Sequence, residues 1–114
     1  MTPKLPYTIG IDGGGTRCRG RLRNINGKIL AEEEAGSANV HLNFLDSITT
    51  IKILIGNLLP KAEISAIEHT EISLGLGLAG ILASGDEHRV ANEFLDFGRV
   101  IVASDAVTAC IGAH

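Results

Sequence analysis

The stretch that decides the fold is IGIDGGGT, residues 9–16, in which a short β-rich run leads into three consecutive glycines. Glycines let the backbone approach a ligand and point several N–H groups at one spot, a pattern typical of phosphate sites. The turn is not a P-loop, because no Gly-x-x-x-x-Gly-Lys-Ser/Thr string occurs. It is not a dinucleotide fingerprint either, because Cys18 stands where a glycine is needed and the following segment alternates as a strand. The sequence predicts a strand–turn–strand phosphate loop; a glycine-rich hairpin without a ligand is the alternative.

The residues on either side of the glycines strengthen the phosphate interpretation. Asp12 precedes them, and a carboxylate suits Mg²⁺ that bridges phosphates, directly or through water. Thr16 follows them and offers both a hydroxyl and an N–H group. We therefore predict that Asp12, Gly13, Gly14, Gly15 and Thr16 bind phosphate, with Asp12 handling the metal through water.

Outward from this turn, the hydrophobic period predicts an α/β fold. Alternating residues predict three antiparallel strands over 7–11, 17–24 and 28–35, with Asn26-Gly27 as a hairpin turn. An apolar stripe then predicts a helix that begins after Asn43 and stops at Pro60. The later elements, in chain order, are a strand over 72–80, a helix over 86–97, a strand over 100–103 and a helix from 105 onward. This order predicts a mixed sheet with helices on its faces.

A second carboxylate, Asp105, follows the apolar strand and opens the last helix. Ligands in α/β sheets bind beyond the carboxyl ends of strands, so Asp105 and Asp12 would share one crevice if their strands run parallel. A helix N-terminus keeps a carboxylate ionised, and an ionised carboxylate can accept a proton from a substrate hydroxyl. An ordinary helix N-cap is the alternative for Asp105.

Composition limits the remaining function classes. The 114 residues suit one domain, and with 45% hydrophobic but 4% aromatic residues its core must be aliphatic. A net charge of −3 argues against nucleic-acid binding, and the arginines that alternate over 17–23 are expected to form a solvated face. The glutamates at 32–34 are expected to face solvent on an edge strand. No signal-like or membrane-spanning stretch occurs, which predicts a cytoplasmic protein.

Four short motifs follow one another along the chain. They are Asp-Gly-Gly-Gly-Thr after the first strand, Ser-Ala-Asn-Val at 37–40, Gly-Leu-Gly-Leu-Ala-Gly at 75–80, and Ser-Asp-Ala-Val-Thr-Ala at 104–109. Together they resemble the N-terminal domain of the N-acetylglucosamine kinase family. That family lies within the grouping of BadF/BadG/BcrA/BcrD ATPases, which has the actin-like, ribonuclease H-like fold. We expect a five-stranded mixed sheet in the order 3-2-1-4-5 with helices on both faces.

The resemblance implies a role for each matching residue. The turn from Asp12 to Thr16 would hold the phosphates of ATP and Mg²⁺, and Asp105 would be the catalytic base that activates a sugar hydroxyl. Asn39 and Gly80 would lie in the sugar-binding part of the cleft. The implied substrates are ATP and either N-acetylglucosamine or glucosamine.

The resemblance also implies a second lobe, which this chain does not contain. Residues 1–114 would form the N-terminal lobe alone, and one lobe should have little or no kinase activity because phosphoryl transfer depends on positioning between two lobes. Two alternatives stay open: an ATPase that activates a dehydratase or reductase, and a non-catalytic truncated module. Self-association as a homodimer also stays open.

Overall fold

The computed structural model describes residues 5–14, 16–62, 67–82 and 84–104. The described elements are five strands and two α-helices, with a 3-10 turn before the fourth strand and another after the second helix. In chain order they are β1 Tyr7–Gly13, β2 Cys18–Asn24, β3 Ile29–Ala35, α1 Phe44–Lys61, the turn His69–Glu71, β4 Ile72–Leu78, α2 Ser84–Ala91, the turn Asn92–Phe94 and β5 Arg99–Ser104.

The strands form one mixed sheet in the order β3-β2-β1-β4-β5. The first three strands are joined as antiparallel neighbours. β4 lies parallel to β1, and β5 lies parallel to β4. The predicted fold class and strand order are therefore confirmed. The reason is visible in the sequence, since a tight hairpin permits only antiparallel pairing, whereas helical crossovers permit parallel pairing.

Alternation along the strands gives the sheet two different faces. Ile9, Leu22 and Leu74 are cross-strand neighbours on one face, and all three are completely buried. The apolar stripes of α1 and α2 pack on this face and join the same core. The opposite face carries the alternate residues, which include Gly10, Gly75 and a half-exposed Ile101. Both described helices lie on one face, and the helix predicted from residue 105 lies outside the described residues, so helices on both faces stay a prediction.

The first helix begins where its capping residue predicts. The side-chain carbonyl of Asn43 accepts a hydrogen bond from the N–H of Asp46 at 3.3 Å, and this replaces one of the intrahelical bonds that a first turn lacks. The predicted end of α1, Pro60, is one residue before its observed end, Lys61. Pro60 lies inside the last turn, and the helix continues to Lys61 because a proline removes only its own N–H group.

The predicted second helix is shorter than its apolar stripe. α2 ends at Ala91, and a 3-10 turn carries the chain on to Phe94. The stripe itself is confirmed as core, since Val90, Phe94 and Phe97 are all buried. No helix in the described part of the chain is both long and apolar enough to span a bilayer.

Candidate functional site

The carboxyl ends of three parallel strands meet at one edge of the sheet. Gly13 of β1 pairs with Leu78 of β4, and Leu78 pairs with Ser104 of β5. This parallel arrangement is the condition under which a carboxylate after β1 and one after β5 share a crevice. Asp105 follows Ser104 directly in the sequence but lies outside the described residues, so its predicted role as a base stays a prediction.

The glycine turn is tied by main-chain hydrogen bonds to the loops beside it. Within the turn, the N–H of Gly14 donates to the carbonyl of Arg17 at 3.0 Å. The carbonyl of Gly13 accepts from the N–H of Ala79 at 2.8 Å, and that of Gly14 accepts from the N–H of Ala38 at 3.2 Å. The segments after β1, β3 and β4 are therefore joined into one assembly. Gly15 lies outside the described residues.

The same assembly brings two predicted sugar-site residues into contact. Asn39 forms an isolated parallel bridge with Ala79, and the N–H of Val40 donates to the Ala79 carbonyl at 3.2 Å. This places Asn39 against Gly80, which has a φ of +88°. A side chain on Gly80 would collide with the Oδ1 atom of Asn39 and with the N–H of His41. The structure thus requires glycine at residue 80 both for its backbone angle and for this close approach.

The side chain of Asn39 has a fixed orientation. Its Oδ1 atom accepts hydrogen bonds from the N–H groups of His41 at 3.0 Å and Leu42 at 3.2 Å. Its carbonyl oxygen accepts from the N–H of Asn43, the residue that caps α1. With the oxygen of the side chain committed to the loop, the Nδ2 amide is the group of Asn39 available to a ligand.

Asp12 is exposed and keeps its carboxylate free of ion pairs within the described residues. Its cross-strand neighbour on β2 is Arg19, which instead binds Glu34 at 3.1 Å. Arg17 binds the same glutamate at 3.3 Å. Because Glu34 holds both of these arginines, the carboxylate of Asp12 remains open for a cation. Thr16, at the far side of the turn, is also exposed.

The thiol of Cys18 lies beneath this turn. It is completely buried, and burial raises its pKa, with a smaller contribution from the negative charge of Asp12. A thiol in such surroundings stays protonated at neutral pH and is a poor nucleophile and metal ligand. Cys18 therefore has a packing role.

The described residues fit a magnesium ion that keeps most of its water. No group of three or more His, Cys, Asp or Glu side chains in the described ranges could enclose a metal. One exposed carboxylate, Asp12, next to a glycine turn is instead the donor set expected for Mg²⁺ that arrives with phosphates, since this ion is usually bound by one or two carboxylates plus substrate oxygens. Asp12 is the residue that would hold it.

A second polar cluster was not predicted from the sequence. His69 binds Asp96 through Nδ1 at 2.5 Å and stacks on the ring of Phe97 with centroids 4.4 Å apart. The bond to His69 is the main reason that the pKa of Asp96 lies below its ordinary value. The cluster sits beside β4 and β5 at their amino ends, away from the glycine turn. No sequence pattern joins residues 69 and 96, because the sheet alone brings their loops together.

The charged face of the hairpin follows the prediction with one difference. Arg17, Arg19 and Arg21 are exposed and paired with glutamates of β3. Glu33, expected to face solvent, instead points to the helix side, where Lys61 binds it at 2.8 Å. That bond holds the pKa of Glu33 below its ordinary value. The difference arises because alternate residues of an edge strand face opposite sides of the sheet.

Comparison with known proteins finds similarity to proteins that are described as hexosamine kinases. The chain is 33% identical over 110 residues to glucosamine kinase GspK of Vibrio cholerae, which covers 96% of this chain and 37% of the relative. It also matches the crystal structure of a Chromobacterium violaceum protein provisionally described as an N-acetylglucosamine kinase. That match has a TM-score of 0.79 and 31% identity, and covers 98% of this chain and 39% of the other. No protein-family model matches the chain.

These matches confirm the resemblance predicted from the four motifs. They extend over nearly all of this chain, and the strand order agrees with an actin-like kinase lobe. The chain spans less than two fifths of the length of both relatives.

Proposed function

We propose that this chain is the N-terminal lobe of an ATP-dependent kinase that phosphorylates glucosamine or N-acetylglucosamine. The observation that carries the proposal is the joining of the glycine turn, Asn39 and Gly80 at the carboxyl ends of the parallel strands. Ligands of α/β sheets bind at this edge. The two relatives, both described as hexosamine kinases, support the choice of reaction.

Each part of the edge has a place in the proposed reaction. The turn from Gly13 to Thr16 would bind ATP phosphates through N–H groups other than that of Gly14, which is bonded to the carbonyl of Arg17. Asp12 would hold Mg²⁺ through water. Mg²⁺ supplies positive charge that stabilises the phosphates during transfer. The Nδ2 amide of Asn39 would donate a hydrogen bond to the sugar, and Gly80 would keep Asn39 in place. Asp105 would accept the proton of the attacking hydroxyl.

We further propose that this reaction takes place in the cytoplasm.

We also propose that the reaction needs a second lobe. Phosphoryl transfer gains most of its acceleration from positioning and charge stabilisation, which require groups on both sides of the transferred phosphate. The described edge supplies one side only. A second Gly-Thr-Gly-type loop encoded soon after residue 114 would support the two-lobe arrangement, and an immediate stop codon would contradict it.

The test is ADP release by the protein that carries this chain together with any natural sequence that follows it. Glucosamine, N-acetylglucosamine and glucose are offered in turn. We expect release that depends on a hexosamine, and we expect Asp105→Asn to reduce kcat by roughly 10²- to 10⁴-fold, the usual contribution of a general base. Glu87→Gln, a change of an exposed acid on α2, is the matched control and should leave kcat unchanged. ATP hydrolysis that ignores sugar would contradict the kinase proposal.

A further inference from the structure

The sheet carries a polar cavity at the edge opposite the glycine turn. It has a volume of about 230 Å³. Its floor is a row of four cross-strand neighbours on the face of the sheet not covered by α1 and α2, one from each of β2, β1, β4 and β5. In that order they are Arg23, Thr8, Ser73 and Arg99. The two arginines stand at the ends of the row and the two hydroxyls lie between them.

The arginines of this row differ from Arg17 and from the other arginines of β2. Arg17, Arg19 and Arg21 each bind a glutamate of β3. Opposite Arg23, however, β3 presents Ile29. Neither Arg23 nor Arg99 forms an ion pair with any carboxylate of the described chain.

Two cavities on the sheet differ in whether acidic residues neutralise the arginines that line them. A cavity of about 460 Å³ lies along Arg19 and Arg21, but the glutamates at 32, 33 and 34 line it as well, and Glu32 and Glu34 neutralise the two arginines. The cavity at Arg23 and Arg99 has no acidic residue in its described lining. Its positive charge is therefore available to a ligand from outside the chain.

A further donor lies at the rim. The Oδ1 atom of Asn24 accepts hydrogen bonds from the N–H groups of Asn26 and Lys28, both at 3.0 Å. Because its oxygen is used by the hairpin turn, Asn24 can offer the cavity only its Nδ2 amide. The side chains around the cavity thus supply two guanidinium groups, two hydroxyls and one amide donor.

We propose that this cavity binds a phosphate group between Arg23 and Arg99, with Thr8, Ser73 and Asn24 as further donors. Guanidinium groups match the geometry of phosphate oxygens and can bind them through paired N–H bonds. Adjacent strands are about 4.8 Å apart, so the backbones of Arg23 and Arg99 are separated by about 14 Å. That separation leaves room for a phosphate between two long side chains that both line the cavity.

The ligand would be either inorganic phosphate or the phosphate group of a phosphorylated sugar. Both carry the same dianion, and they differ in whether a sugar ring must also fit. The cavity is open and Arg99 and Thr8 are exposed, so water and salt weaken the attraction. We expect a dissociation constant on the order of 1–10 mM at low ionic strength, rising as salt is added.

The test is an NMR titration of the full chain with inorganic phosphate, followed residue by residue at the backbone amides. We expect saturable shifts at Thr8, Ser73 and Arg99. Shifts at Gly14 and Thr16 report phosphate at the glycine turn instead and belong to the proposed kinase site. The two sets are read separately, so failure of one proposal leaves the other intact.

Substitutions then identify the groups responsible. Arg23→Gln and Arg99→Gln should each weaken phosphate binding at this cavity roughly tenfold, the effect of losing a charge-assisted hydrogen bond. Arg21→Gln is the matched control, because Arg21 lies on the same strand but is already bound to Glu32. Equal weakening by Arg21→Gln would mean that only general surface charge attracts the anion, and would overturn the proposal. Shifts that never saturate would overturn it too.

A final titration distinguishes the sources of phosphate. Glucose 6-phosphate, glucose and inorganic phosphate are added separately. Tighter binding of the sugar phosphate than of inorganic phosphate would assign the cavity to a phosphorylated sugar, and equal binding would assign it to phosphate alone. Shifts of these amides by glucose alone would show that the charge is not what is recognised, and the proposal would be wrong.

Discussion

Asn39 and Gly80 are in such close contact that residue 80 has room for no side-chain atom. The Oδ1 atom of Asn39 occupies the position that a Cβ atom would need, and the φ of +88° independently favours glycine. The contact joins the loop after β3 to the loop after β4. It fixes the orientation of Asn39, whose amide we place in the sugar site.

The first prediction concerns Gly80→Ala. We expect the free energy of unfolding to fall by about 2–4 kcal/mol, because the variant adds overpacking to the strain of a left-handed residue. Gly27→Ala is the control, since Gly27 has a φ of +84° but nothing lies within 4 Å of its added Cβ. It should lose only the strain, about 1–2 kcal/mol. Urea unfolding measures both, and equal losses would show that the contact with Asn39 is unimportant.

A second prediction follows from the pairing of Arg17 and Arg19 with Glu34. Glu34→Gln removes the partner of both arginines, and Arg19 is then free to bind Asp12 across the strands. We expect weaker binding of Mg²⁺-ATP by the protein that carries this chain, by up to about fivefold, the range of an exposed ion pair. Glu32→Gln, which releases Arg21 instead, should leave binding unchanged. Isothermal titration calorimetry measures both, and an effect of equal size in the two variants would contradict the role of Glu34.

The third prediction concerns stability in acid. The bond from His69 lowers the pKa of Asp96 below its ordinary value, so the folded state binds the proton less readily than the unfolded state. The resulting stabilisation is complete above the ordinary pKa and is lost as the pH falls through the lowered value. The side chain of Asp96 is 64% exposed, so the effect should be small.

Urea unfolding between pH 2.5 and pH 7 tests this prediction. The difference in unfolding free energy between the parent and Asp96→Asn should have its full size at pH values above the ordinary pKa of an aspartate and should shrink as the pH falls below that value. A difference that is constant with pH would mean that the carboxylate charge is not involved.

A fourth prediction compares Gly20, which packs against α1, with Gly56, which lies on the exposed side of α1. A Cβ atom on Gly20 of β2 would lie 2.8 Å from Leu58 and 3.3 Å from Leu54, so Gly20→Ala should destabilise the fold by about 1–3 kcal/mol. Gly56 lies inside α1 on its exposed side, with nothing within 4 Å. Gly56→Ala should stabilise the fold by roughly 0.5–1 kcal/mol, because alanine has the higher helix propensity. Thermal unfolding gives both signs, and destabilisation by Gly56→Ala would contradict the exposed position.

The sequence predicts the sheet well because its signals are local. Alternation, the Asn26-Gly27 turn and the stripe of α1 each depend on neighbours within a few residues. Helix ends are less certain, and Pro60 shows why: a proline removes a single N–H group, so the final turn can still form around it.

The candidate site is predictable in its residue types and less so in its contacts. The glycine turn is visible as a motif, but the hydrogen bonds from Ala38 and Ala79 join segments far apart in the chain. The pairing of His69 with Asp96 and the row from Arg23 to Arg99 have the same origin. Such contacts depend on which residues of neighbouring strands lie opposite each other. The hydrophobic pattern shows which side of each strand is buried, but it does not show this alignment between strands.

The bond from the N–H of Ala79 to the carbonyl of Gly13 has a consequence for how freely this loop can vary. Since only main-chain atoms take part, residue 79 can change its side chain, within the space available, and keep the connection to the glycine turn. Proline is the exception, because it has no N–H group to donate. The connection would therefore tolerate wide sequence drift at residue 79, and a single proline there would break it.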